Sequence, residues 1–307
     1  MGFETMATIL SFGGKLLKLK HYASTLKCEM NLNLYLPPQT AKGDTQQRHE
    51  RIPVLLFLSG LTCTGDNCAE KGFLHYRASQ RGIAIVYPDT SPRGLGIEGE
   101  EDSYDFGSGA SFYIDATNLP WSTNYNMESY VTRELPGQLF NTFIELDPTR
   151  ISITGHSMGG HGALTLFLKN PGMYRSVSAF APICNPINCP WGQKAFSGYL
   201  GNEFEEWRKH DATELVKEWH GPLNCLIDVG TSDQFYQQKQ LLPENFAEEA
   251  KKGGNDHGLI LRYQEVGYIP PHLGIFTEFD QGYDHSYYFV SSFATDHVNH
   301  AANYLFT

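Results

Sequence analysis

From residue 28 to residue 36 apolar and polar positions alternate (CEMNLNLYL), and Pro37-Pro38 ends the run. That period of two predicts a strand with one buried face. Further on the alternation gives way to short continuous apolar runs at residues 54–58, 83–87, 151–154, 177–180, 223–229 and 259–263. Runs of this kind predict strands covered on both faces, as in a parallel sheet. Between them lie stretches of helical character at about 68–80, 127–145, 158–169, 235–252 and 287–305. Strand and helix alternating through the whole length predict a doubly wound α/β domain. No linker divides the 307 residues, so one domain is expected. The polar stretch 37–51 reads as a surface loop. Residues 88–126 form a long irregular stretch rich in aromatic residues and glycine, which predicts an ordered binding loop.

Composition narrows the classes of partner. The net charge of -11 argues against nucleic acid or an anionic membrane, both of which need a basic footprint. It also requires any anionic substrate to be met by local positive groups. No apolar run approaches the roughly 20 residues of a membrane helix, mean hydropathy is -0.35, and no secretion signal is expected. The six cysteines, Cys28, Cys63, Cys68, Cys184, Cys189 and Cys225, are therefore read as free thiols in a reducing compartment. Their spacing does not suit a zinc site, and no metal is expected.

Chemistry concentrates at residues 155–160, Gly-His-Ser-Met-Gly-Gly. This G-x-S-x-G motif follows a β-branched run and opens a helical one, the setting of a nucleophile elbow. Glycines at 155 and 159 let the two arms approach where a Cβ would block them. The plainer alternative is a glycine-rich turn with Ser157 as an N-cap. A serine nucleophile needs an acid and a base, which α/β-hydrolases supply in the chain order serine, acid, histidine. Asp233, just past the run 223–229, suits the acid better than Asp228, which lies within that run. His285 precedes the terminal helix in a loop, a placement that suits a base. His272 is the alternative, beside the proline pair 270–271. His156 is too close to Ser157 along the chain, His161 lies on the elbow helix, and His297 and His300 are expected on a solvent-facing helix. The backbone N–H groups of Met158 and Leu61 are the expected oxyanion donors.

Six motifs in order carry a resemblance: LSGLTCT (58–64), DTSPRG (89–94), GHSMGGHGA (155–163), SAFAPICNP (178–186), PWGQKAF (190–196) and GYDHSYYF (282–289). Together they resemble the S-formylglutathione hydrolase (esterase D) family from about residue 10 to the end. The resemblance implies an α/β-hydrolase fold, with a mostly parallel central sheet and helices on both faces. It implies a catalytic triad of Ser157, Asp233 and His285, with Leu61 and Met158 as oxyanion donors. The implied reaction is hydrolysis of S-formylglutathione to formate and glutathione through a formyl-serine, without a cofactor, in a cytosolic homodimer that also cleaves simple esters. Cys63, Trp191, Lys194 and Arg93 are the candidate walls of the substrate cleft, with Arg93 suited to a glutathione carboxylate. A general carboxylesterase and a non-catalytic binding protein on the same fold are the competing readings. One departure from the family pattern is the extra stretch at 265–281, directly before His285, read as an inserted loop or a translated intron.

Overall fold

The computed structural model describes residues 2–38, 50–265 and 282–307. Nine strands form one sheet: β1 (Glu4–Ser11), β2 (Gly14–Ala23), β3 (Cys28–Leu36), β4 (Ile52–Leu58), β5 (Ala84–Pro88), β6 (Leu146–His156), β7 (Val177–Phe180), β8 (Cys225–Gly230) and β9 (Leu259–Gln264). Their order is β1-β2-β3-β5-β4-β6-β7-β8-β9. The contacts β1–β2, β2–β3 and β3–β5 are antiparallel, and every contact from β5 through β9 is parallel. All of the predicted strands are present. Strands β5, β7 and β8 are buried at every position, as continuous apolar runs require when both faces are covered.

Strands β1 and β2 lie outside the sequence reading. Strand β1 is the sheet edge and is mostly exposed, so no buried face imposes a period on it. A register shift between Thr5 and Ala7 interrupts its pairing, one of the devices that blunt an open edge.

Helices α1 (Gly65–Lys71) and α2 (Leu74–Arg81) replace the single helix expected at 68–80. The break falls at Phe73, whose φ of +57° lies in the left-handed region. The stretch 127–145 divides into α3 (Met127–Ser129), a π-helical turn (Tyr130–Glu134) and α4 (Leu135–Thr142). Pro136 accounts for the change, because it has no N–H to return to the carbonyl four residues back. Helix α5 (Met158–Lys169) matches its expected bounds and is buried on all sides up to Leu168. Helices α6 (Pro190–Leu200), α7 (Phe204–Arg208) and α8 (Ala212–Leu215) were not anticipated. The stretch 235–252 is α9 (Gln234–Gln237) and α10 (Pro243–Lys252), parted by left-handed backbone at Lys239 and Leu242.

Helix α11 (Tyr287–Leu305) closes the chain, and here the expectation of a solvent-facing helix is overturned. His297 is fully buried and stacks on Phe180 with ring centres 3.5 Å apart. His300 is buried too, its Nε2 donating to the Val177 carbonyl at 3.1 Å. The helix packs against the sheet, so these polar residues belong to its inner face.

Burial also sets the response to acid. It pulls the imidazole of His161 and His210 down to about 3, and that of His75 and His300 to about 4. In the unfolded chain each titrates near about 6.5. Below that pH the unfolded chain takes up protons that the folded one refuses, so stability is full above about 6.5 and declines as pH falls towards about 4. The urea midpoint, measured from about pH 8 down to about pH 4, is expected to drop steeply below about 6.5. A midpoint that stays level across that range would refute the account.

Candidate active site

Strand β6 ends at His156 and α5 begins at Met158, so Ser157 alone makes the turn. Its φ of +59° and ψ of -118° are a strained backbone for a residue with a side chain, costing on the order of 1–3 kcal/mol. Neighbouring backbone holds it there. The Ser157 N–H donates to the Phe180 carbonyl at 2.9 Å, and its own carbonyl accepts the His161 N–H at 3.0 Å. A Cβ at Gly155 would overlap the Gly159 carbonyl, and one at Gly159 would overlap the carbonyl of Leu58. The Ser157 side chain makes no capping hydrogen bond to α5, which removes the plainer N-cap reading.

Asp233 lies just beyond β8 and is fully buried. Its Oδ1 accepts the N–H groups of Phe235 at 2.8 Å and Tyr236 at 3.3 Å, which fixes the carboxylate as the cap of α9. His285 Nδ1 donates to its Oδ2 at 2.5 Å. The rival Asp228 is occupied elsewhere. It accepts from Arg262 at 2.6 and 2.7 Å, from Gln264 at 2.9 Å and from His297 Nε2 at 2.9 Å. Burial pushes the Asp228 carboxyl up, but His297 and Arg262 outweigh it and hold it well below the ordinary range. His272, the alternative base, lies outside the described residues.

His285 is reached from a short strap, 282–285, that packs against the ends of β8 and β9. Glu265 and Gly282 pair as an antiparallel bridge. The Tyr283 carbonyl accepts the Ser232 N–H at 3.1 Å, and a Cβ at Gly230 would overlap that same carbonyl. The atypical stretch falls on 265–281, of which 266–281 lie outside the described residues. Its two flanks nevertheless meet, so the position of His285 is set by β8 and β9.

Sequence reasoning set His156 aside as a base and missed its place in the packing. Its buried ring lies 4.6 Å from that of His285 and 5.5 Å from that of Tyr287. Among the described residues neither of its ring nitrogens has a partner. Burial first, and the neighbouring His285 second, hold its imidazole well below the ordinary range. A neutral aromatic face therefore backs His285. The signal was its place next to Ser157, which puts it at the same sheet edge.

Of the expected oxyanion donors, Met158 follows Ser157 directly, and Leu61 follows Gly60, where a Cβ would lie 3.1 Å from that of Ser157. Among the described residues, neither the Leu61 nor the Met158 N–H has an acceptor in the protein. Trp191 is buried against Phe235, with ring centres 4.6 Å apart, and Phe235 meets His285 edge-on at 4.8 Å. Lys194 forms an ion pair with Asp105 and donates to Ser103 Oγ at 2.6 Å. Arg93 is turned inward: Nε and Nη2 bind Asp89, and Nη2 also donates to the Cys63 carbonyl at 3.0 Å. Cys63 is partly exposed, with its Sγ 3.8 Å from the Tyr287 hydroxyl, and burial pushes the thiol up. The other five cysteines are buried free thiols. Among the described residues no cluster of three His, Cys, Asp or Glu side chains is placed to hold a metal ion, and no helix is long and apolar enough to cross a membrane.

A serine on such a turn, and a buried aspartate–histidine pair at the same end of a parallel sheet, mark an esterase of the α/β-hydrolase fold. Similarity to known proteins agrees. Residues 23–300 match the family described as "Putative esterase". The S-formylglutathione hydrolase of Rattus norvegicus is 50% identical over 306 residues, covering 99% of each chain. That of Arabidopsis thaliana is 47% identical over 305 residues, covering 99% of this chain and 98% of its own. The solved structure of an S-formylglutathione hydrolase from Agrobacterium tumefaciens has a TM-score of 0.85 at 42% identity, covering 99% of this chain and 100% of that one. The chain belongs to the S-formylglutathione hydrolase family.

Two outcomes are expected. Bridge-paired residues lie about 4.5–5.5 Å apart, a gap that a two-residue Asn-Gly turn closes. Replacing 266–281 by Asn-Gly should therefore preserve esterase turnover, and loss of turnover with the fold retained would show that the segment contributes to the site. Cys63→Ser should abolish inhibition by a bulky maleimide, since the remaining cysteines are buried. Undiminished inhibition would place the sensitive group elsewhere.

Proposed function

We propose that the protein hydrolyses S-formylglutathione to formate and glutathione, with Ser157 as nucleophile, His285 as general base and Asp233 as its orienting carboxylate. The observation that carries this reading is the 2.5 Å bond from His285 to the buried Asp233, at the sheet end that holds the Ser157 turn. End-to-end similarity to S-formylglutathione hydrolases supports the substrate.

His285, its Nδ1–H given to Asp233, takes the Ser157 hydroxyl proton on Nε2 while Oγ bonds to the formyl carbon. The carbonyl π electrons move to oxygen, and that oxyanion accepts hydrogen bonds from the Leu61 and Met158 N–H groups. Collapse of the adduct breaks the C–S bond. A thiol with a pKa near about 8.5–9 leaves readily as thiolate, and the imidazolium proton then neutralises it. Water, deprotonated by His285, attacks the formyl-serine and releases formate. Burial of His156 keeps a second positive charge away from the imidazolium as it forms. Because the acyl group is a single carbon, large acyl esters should be poor substrates. The reading includes a homodimer in the cytosol, as the family implies. The free thiols support the reducing compartment.

Ser157→Ala is expected to lower kcat by about 10⁴–10⁶-fold, and Asp233→Asn by roughly 10⁴-fold, on both S-formylglutathione and p-nitrophenyl acetate. A kcat/KM far higher for the aryl ester would replace this reading by a general carboxylesterase. Turnover that survives Ser157→Ala would reject the mechanism.

A further inference from the structure

The long stretch 88–126 was expected to bind something, and the loop after β4 is what it grips. The Tyr113 hydroxyl, fully buried, donates to the Ser59 carbonyl at 2.9 Å. The Gly109 carbonyl accepts the Thr62 N–H at 2.8 Å. The Cys63 carbonyl accepts two donors, Thr90 Oγ1 at 2.5 Å and Arg93 Nη2 at 3.0 Å. Arg93 is itself clamped by Asp89, whose Oδ1 receives Nη2 at 2.9 Å and Nε at 3.1 Å, while Oδ2 lies 3.2 Å from Nε. Asp89 is buried, and its N–H donates to the Asn31 carbonyl of β3 at 3.1 Å. The clamp thus ties the loop to the antiparallel half of the sheet.

Within the loop the pattern of satisfied donors is selective. The N–H groups of Thr62, Cys63 and Thr64 bond to the Gly109 carbonyl, the Gly60 carbonyl and the Asn67 side chain. Among the described residues, Leu61 keeps its N–H without an acceptor. Thr62, directly after it, has a φ of +64°, a conformation that persists only when its surroundings over-determine it. Those surroundings are the contacts from 88–113.

We infer that Arg93 is a positioning residue for the oxyanion hole: held by Asp89, it fixes the Cys63 carbonyl and with it the loop that presents the Leu61 N–H, and it does not receive a substrate carboxylate. The inference rests on the proposed function of Ser157 and Leu61. Its chemistry follows from geometry. A planar fork bound at two points is rigid, and an oxyanion donor helps the reaction only when its place is set before the charge develops.

The test compares Arg93→Lys, Arg93→Met and the double variant Asp89→Asn/Arg93→Met with the wild type. The double variant avoids stranding a buried carboxylate, which could unfold the single Met variant. Each is assayed on S-formylglutathione and on neutral p-nitrophenyl acetate, and for inhibition by a trifluoromethyl ketone, whose serine adduct carries the oxyanion. For the double variant kcat should fall by roughly 10- to 100-fold on both substrates, short of the 10²–10³-fold loss on deleting a donor outright. KM should stay put, inhibitor affinity should fall in parallel, and the lysine variant should lie between. A rise in KM for S-formylglutathione alone, with aryl-ester kinetics unchanged, would overturn the inference and make Arg93 a carboxylate receptor. Wild-type kinetics in the folded double variant would also overturn it. Failure of the underlying reading has its own mark, a wild type inert on both substrates or turnover that survives Ser157→Ala.

Discussion

Backbone meets backbone where the Ser157 turn passes the end of β4, and the rest of the site depends on that contact. Gly159 lies so close to the Leu58 carbonyl that no side chain fits, and a Cβ on it would also lie 2.5 Å from the Ser59 carbonyl oxygen. A Cβ at Gly60 would lie only 3.1 Å from that of Ser157. The approach lets Ser157 hold a positive φ at the head of α5, and it brings the loop carrying Leu61 beside it. An alanine at 159 would push apart the two elements whose proximity makes the site.

Parallel strands direct all the other parts to the same edge. Strands β4, β6 and β8 run in one direction, so their trailing loops, with Leu61, Ser157 and Asp233, gather at their carboxyl ends. Strand β9 adds its own end, and the strap from Gly282 carries His285 back over β8. Two aspartates five positions apart then do different work. Asp228 is locked with Arg262, Gln264 and His297, which binds β8 to β9 and to α11. Asp233, past the strand end, keeps one oxygen for α9 and the other for His285. Because α11 begins two residues after His285, the first aspartate steadies the helix on which the second one's partner depends.

Much of this was legible. The doubly covered strands announced themselves as apolar runs, and α5 appeared at its observed bounds. Each was written into neighbouring residues. Where the sequence reading went astray, the deciding contact came from a distant part of the chain. The edge strand β1 has no buried face to impose a period. Helices broke at Phe73 and Leu242, where left-handed backbone is set by packing, and at Pro136, whose missing N–H distorts a helix without ending it. His297 and His300 looked exposed because polar residues on a terminal helix usually are, yet Phe180, Asp228 and the Val177 carbonyl receive them. Arg93 looked available to an anionic substrate, since nothing in the local sequence hints that Asp89, four residues away, holds it while it binds the Cys63 carbonyl.

By itself the sequence determined the class of fold and the sharp turn at Ser157, and it narrowed the acid and the base to a few named candidates, because these follow from local periodicity, glycine spacing and the order of motifs. Only the tertiary structure decided which aspartate meets His285, that Glu265 and Gly282 pair as a bridge, and that residues 88–113 brace the loop opposite Ser157. The hydrogen bonds that make such pairings join residues 30 to 69 positions apart. Their energies come from burial and hydrogen bonding between distant parts of the folded chain, which no local pattern encodes.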